Sequence, residues 1–104
     1  AQAIQLEPDN LTAYYALADI YRDKHDPVKA LEVYNKAIKA KPDAHSPYFK
    51  AGLMLRETRN YQEAELMLKQ AARLAPDDLN IRRQLSAVIA LNMVHQAQEE
   101  KTIP

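Results

Sequence analysis

The chain has a single glycine and no cysteine among its 104 residues. Without cysteine there are no disulfides, no thiol catalysis and no Cys-ligated zinc, although the compartment stays open. No Gly-rich phosphate loop, dinucleotide fingerprint or nucleophile motif occurs, so enzymatic activity is not expected. Excess charge is also missing. Fourteen Lys and Arg balance fourteen Asp and Glu for a formal net charge of +0, which gives no electrostatic footprint for nucleic acid or an anionic membrane. The apolar runs are too short for any segment to span a bilayer. The first residues, AQAIQLEPDN, lack an initiator Met and a signal-peptide pattern, and read as the middle of a helix. A fragment of a longer protein is expected, its targeting signals elsewhere. That leaves localisation unknown, with the cytoplasm only as the default.

What is present favours helix. Ala, Leu, Lys, Glu and Gln are abundant, and the length suits one compact domain. Pro8, Pro42 and Pro76 are spaced 34 residues apart, in the settings LEPDN, AKPDA and LAPDD. Tyr14 and Tyr48, Ala18 and Gly52, Tyr21 and Leu55, Ala30 and Ala64, Tyr34 and Leu68, and Ala37 and Ala71 follow the same shift. A fixed period of this size marks stacked repeats.

Each unit reads as two helices. The first runs from about Leu11 to Lys24. Asp26 and Pro27, as N-cap and first helical residue, open a second that ends near Ala40, before Pro42. Ser46-Pro47 opens a helix to about Thr58. Asn60, with Glu63 as a capping-box candidate, opens one to about Ala75. From Leu79 the pattern departs, because ALNMVHQAQEEK has no Gly, Pro or Asp to break it. One long helix to about Glu99 is expected, covering the open end of the stack as a cap, with Ile103-Pro104 frayed.

The pattern Tyr14-x-x-Leu17-Ala18-x-x-Tyr21, Ala30-x-x-x-Tyr34, Ala37, Pro42 resembles the tetratricopeptide repeat, and Tyr48, Gly52, Leu55, Ala64, Leu68, Ala71 and Pro76 repeat it. Ala51 and Leu55 depart from the usual larger apolar residue and Tyr. The resemblance implies an all-α fold, a right-handed superhelical stack of antiparallel helix pairs. It divides the chain into a repeat tail over 1–10, repeats over 11–44 and 45–78, and the first helix of a third repeat over 79–104. Small residues at 18, 52, 30 and 64 let paired helices approach, and Tyr14, Leu17, Tyr21, Leu31 and Tyr34 fill the space around them.

His25, His45 and His95 have no partners at metal-ligand spacing and read as solvated surface residues, so no metal or cofactor is expected. Asp77-Asp78 suits a helix start and Glu99-Glu100 a polar tail; neither resembles a catalytic dyad.

Surface remains. Adjacent residues on a helix lie about 100° apart, so Tyr14 and Tyr15 cannot share a face. Tyr14 is assigned to the core and Tyr15 to the inner groove, with the same split for Tyr48 and Phe49. The groove stripe is then Thr12, Tyr15, Ala16, Asp19, Arg22 and Asp23 on the first inner helix. Ser46, Phe49, Lys50, Leu53, Arg56 and Glu57 follow on the second, and Asn80, Arg83, Gln84, Ala87, Ala90 and Leu91 on the third. Tyr15, Phe49 and Arg83 are each 34 residues apart and are expected to form a row of hot-spot residues across the groove. Many proteins similar to this family clamp a partner's C-terminal carboxylate with Lys and Asn on the first inner helix, Asn on the second, and Lys and Arg on the third; the corresponding positions here hold Tyr15 and Asp19, then Lys50, then Asn80 and Gln84. Only Lys50 is basic here, so the chaperone-tail clamp is not expected. The expected partner is a protein or peptide of mixed charge, bound through Tyr15, Asp19, Arg22, Phe49, Lys50, Leu53, Arg56, Arg83, Gln84 and Ala87. Alternatives are a spacer or self-assembling segment that pairs through Ala3, Ile4 and Leu6 or through Val88, Leu91 and Val94, and a substrate-choosing segment of a larger enzyme.

Overall fold

A computed structural model describes residues 10–102, with side chains as far as Glu99. The expected repeat tail with Ala3, Ile4 and Leu6, and the fraying of Ile103-Pro104, lie outside the described residues. Five helices follow one another: α1 Leu11–Asp23, α2 Pro27–Ala40, α3 His45–Glu57, α4 Tyr61–Leu74 and α5 Leu79–Thr102. Each packs on its neighbours in sequence, and the molecule measures 54 × 33 × 18 Å. A chain this size folded as a sphere would be nearly equal in all directions, so the shape is that of a stack.

The helix starts are built locally. Asn10 caps α1 by accepting from the Ala13 amide at 3.3 Å. Asp26 accepts from the Lys29 amide at 3.2 Å, and Pro27 sits where no amide donor is needed. Asp78 takes the amides of Asn80 and Ile81 at 3.0 and 3.2 Å, which satisfies the start of α5. The capping box expected at Asn60 does not form. The Asn60 side chain donates to the Thr58 hydroxyl at 2.9 Å and makes no cap bond, so α4 starts at Tyr61 on backbone bonds alone.

The helix stops carry a feature the sequence pattern hides. His25 and Arg59, one repeat apart, both adopt left-handed backbone, with φ of 58° and 64°. At the first, the Asp26 amide reaches back to the Tyr21 carbonyl at 2.8 Å and the His25 amide to the Arg22 carbonyl at 3.0 Å. Asn60 to Leu55 and Arg59 to Arg56 repeat the pair at 2.8 and 3.0 Å. These are Schellman closures, normally built on glycine, here built on residues with side chains.

Two clusters make the core. In the first, Tyr14, Ala18, Ala30, Val33, Tyr34 and Ala37 join α1 to α2 and receive Ala51 and Met54 from α3. In the second, Leu55 of α3, Ala64 and Leu68 of α4 and Val88 of α5 meet. Tyr14 is buried as expected, with 6% of its surface exposed. Tyr48 is not. It stays half-exposed, with its hydroxyl donating to the Pro42 carbonyl at 3.3 Å, because the bond holds the ring tip at the turn between repeats. Leu68 rather than an aromatic fills the space behind it, close against Gly52.

Ile20, Met54 and Val88 occupy one position in successive repeats and are 50%, 4% and 0% exposed. Met54 and Val88 each pack on the preceding unit, whereas Ile20 meets no such layer among the described residues. Val88 is therefore not available for pairing with another chain, unlike Val94, which is 55% exposed. The outer side of α5 also shows Ile89 and Met93 to water.

Candidate functional site

The first helices of the units, α1, α3 and α5, stand side by side and are laced together by side chains. Lys50 of α3 lies over the Tyr15 ring of α1, its ammonium 4.8 Å from the ring centre. Arg22 of α1 pairs with Glu57 of α3 at 3.3 Å. Arg56 of α3 donates to the Gln84 side chain of α5. These three ties join one inner wall, and most of the groove residues read from sequence lie on it.

The expected row of Tyr15, Phe49 and Arg83 does not form a continuous platform. Tyr15 turns toward α2 and α3, where its ring centre is 6.4 Å from that of Tyr34. Its hydroxyl is fully buried without a hydrogen bond, and burial pushes its pKa up, opposed in smaller part by the nearby Ser46 hydroxyl. The Ser46 oxygen lies close without hydrogen-bond geometry. Tyr15 is thus part of the packing between repeats, not a solvent-facing aromatic. Phe49 is half-buried against the second core cluster. Arg83 is exposed and contacts neither. The ties do not follow the period: Arg22 to Glu57 spans 35 residues, one past the counterpart, and Arg56 to Gln84 spans 28, short of it.

Lys50 goes to Tyr15 and Arg56 to Gln84, which leaves Asp19 and Asp23 exposed and unpaired. Ala87 is exposed, and Leu53 is half-buried beside the Arg22–Glu57 tie. Between α1 and α3 the surface dips into a cleft of about 90 Å³ lined by Asp19, Arg22, Lys50, Leu53, Met54 and Glu57, with Tyr34 of α2 at its back. Tyr34 is 3% exposed. Burial first, and the Asp19 carboxylate second, push its pKa up; Arg22 opposes and Glu57 adds.

His95 departs from a solvated histidine. It pairs with Glu99 at 3.1 Å, one helical turn on, and meets the Tyr61 ring edge-on at 5.6 Å. With Asn92 donating to Glu65 at 3.3 Å, it ties the second half of α5 to α4. The Glu65 carboxyl is held below its ordinary range, chiefly by its bond to Lys69, with burial opposing and Asn92 helping. Among the described residues no cluster of acidic and histidine side chains suits a metal ion, and no helix is long and apolar enough to cross a membrane.

Antiparallel helix pairs stacked with a repeat of 34, small residues at the crossings and a laced inner wall define an all-α helical-repeat scaffold. The chain belongs to the tetratricopeptide repeat family, whose models match residues 11–44 and 45–78. The repeats of this family are a non-catalytic scaffold, and the chain is a protein–protein interaction module. Among solved structures it is similar to YrrB, described as a TPR protein with an unusual peptide-binding site, at 24% identity and a TM-score of 0.74, over 86% of this chain and 46% of that one. It is also similar to MamA, at 20% identity and a TM-score of 0.74, over 91% of this chain and 56% of that one. A MamA from Desulfovibrio magneticus RS-1, spanning residue 41 to its end, aligns at 14% identity and a TM-score of 0.64, over 99% of this chain and 64% of that one. The chain thus spans between about half and two thirds of the length of these neighbours, and the likeness shows the fold. No curated protein matches the sequence.

Proposed function

We propose that the chain holds a peptide or a helix of a partner protein against the inner wall formed by α1, α3 and α5. The observation that carries this reading is the cleft between α1 and α3, where Leu53 and Met54 offer apolar surface beside the polar rim of Asp19, Arg22, Lys50 and Glu57. Apolar floors with a few placed polar groups are how peptide anchors are recognised. A peptide-binding site in YrrB, a repeat protein of similar fold, supports the same class of partner. The mixed signs suit a segment carrying both charges, and the single lysine among the clamp positions argues against capture of a terminal carboxylate.

Panning a displayed library of 12-residue peptides against the folded chain, followed by titration of Leu53→Glu and Ala87→Glu, tests the reading. Both substitutions sit on the inner wall away from the buried clusters. Affinity of the selected peptides should fall by about tenfold or more in at least one variant that keeps its melting temperature. Unchanged affinity in both variants, with peptide contacts mapping to the outer helices α2 and α4, would overturn it.

A second reading, self-assembly, rests on the exposed apolar side of α5. Met93 is 66% and Val94 55% exposed there, and Leu79 at the helix start is 62% exposed. Sedimentation over a hundredfold concentration range checks it: a constant monomer mass removes this alternative.

A further inference from the structure

The cleft between α1 and α3 is more than an apolar dip, because its charges are unequally committed. Arg22 and Glu57 hold each other at 3.3 Å, and the Lys50 ammonium rests over the Tyr15 ring. Asp19 is the cleft's remaining charge, exposed and without an ion pair or hydrogen bond among the described residues.

The back of the cleft supplies an independent observation. Tyr34 is 97% covered, yet its hydroxyl makes no hydrogen bond among the described residues. Unlike the Tyr15 hydroxyl, it is not fully sealed from solvent, and the residue lines the cleft. A buried phenol in a folded core normally finds a partner. Asp19 lines the same cleft, and its carboxylate is the charge acting most strongly on that hydroxyl. Of the two carboxylates in the lining, Glu57 is held by Arg22, and Lys50 is turned onto the Tyr15 ring, so Asp19 is the carboxylate left open to a cation.

We propose that this cleft is a subsite for a cationic side chain of the partner, a lysine or arginine whose head group is held between the Asp19 carboxylate and the Tyr34 hydroxyl and whose stem lies along Leu53 and Met54. The proposal rests on the inner-wall reading above and specifies one residue class for it. The chemistry is complementary at each point. A phenol oxygen has lone pairs free to accept from an ammonium or guanidinium, and a carboxylate adds a charge-assisted bond. The methylene stem of a long cation covers apolar surface while its head stays polar. A cleft of about 90 Å³ holds several waters, enough for such an arm to displace. An acidic side chain would meet the unpaired Asp19 carboxylate, and a plain aliphatic one would leave the hydroxyl and carboxylate unpartnered.

The test uses three blocked pentapeptides, alanine throughout except a central lysine, norleucine or glutamate, titrated into the isotopically labelled chain and followed by amide correlation spectra. The lysine peptide should shift the amides of Asp19, Tyr34, Leu53 and Met54, at an affinity about tenfold above that of the norleucine peptide. It should weaken by about fivefold or more in Asp19→Asn. Tyr34→Phe, which removes only the unpartnered hydroxyl, should weaken it by a smaller factor without loss of melting temperature. Equal binding of the lysine and norleucine peptides, or lysine binding indifferent to Asp19→Asn, overturns the subsite while leaving the inner-wall reading intact. That reading fails separately, if the panned peptides ignore the inner wall.

Discussion

A Cβ atom placed on Gly52 would stand 2.8 Å from Cγ of Leu68, closer than real Cβ atoms come, and 3.0 Å from its Cδ2, a tight contact. Leu68 is fully buried and cannot swing aside without moving α4. Gly52→Ala gains about 1 kcal/mol in helix propensity but forces a packed core apart, which costs about 1–3 kcal/mol. A net loss of about 1 kcal/mol is expected in denaturant unfolding. The companion Leu68→Ala should cost about 2–5 kcal/mol alone, and Gly52→Ala should become neutral or stabilising in its background, since the clash is gone.

The two left-handed helix ends invite the opposite change. His25→Gly and Arg59→Gly remove a side chain from a backbone conformation that disfavours it. Each should raise stability by roughly 0.5–1 kcal/mol, nearly additively because the sites lie in different repeats. Thermal melts of the single and double variants check this. A drop in either would mean that the side chain makes a contact worth more than the strain.

The tyrosines should separate by depth. Tyr14→Ala is expected to cost about 3–5 kcal/mol, since the side chain lies in the first cluster. The face assignment alone would give Tyr15→Ala about 0.5 kcal/mol. Its sealed hydroxyl and its contacts with Tyr34 and Lys50 raise that to about 2 kcal/mol. Tyr15→Phe should be neutral or slightly stabilising, because it deletes a buried group that has no hydrogen bond. Tyr48→Ala should cost only about 1 kcal/mol, in keeping with its half-exposed position.

Stability should fall in strong alkali. Tyr15 and Tyr34 both have pKa values raised above the ordinary phenol value, chiefly by burial. A raised pKa means that the folded state holds the proton more tightly than the unfolded state. The neutral phenols therefore contribute fully below the unfolded value near 10, and the contribution is lost as pH rises through the folded values. Ultraviolet titration should show Tyr15 and Tyr34 ionising above the ordinary phenol range, with the melting temperature declining above about pH 10. Tyr34→Phe should flatten part of that decline.

The helices, their order and the small residues at their crossings were legible because stacking imposes one spacing on every layer. Ala18, Ala30, Ala64 and Ala71 are each fully covered where the period puts them. The inner wall was legible only by face. A helical wheel assigns Tyr15 a direction but not a neighbour, and the neighbour proved to be Lys50, one residue beyond the period. Tyr48 misled because its position in the repeat matched Tyr14, while a carbonyl at Pro42 held its ring out. Tyr34, assigned to packing, is buried as expected but also lines the cleft, with a hydroxyl that makes no hydrogen bond among the described residues. Nothing in its spacing distinguishes a satisfied hydroxyl from a free one.

One repeated position, occupied by Ile20, Met54 and Val88, is half-wet at one end of the described stack and dry further in. The residues are similar in size and hydrophobicity, so the difference belongs to the layer beneath each of them. Order in such a molecule behaves like a row of coupled spins, where each unit is held by the state of its neighbour. Amide exchange should accordingly be fastest in α1, slowest across α3 and α4, and a helix added or removed at one end should be felt mainly by the next one along.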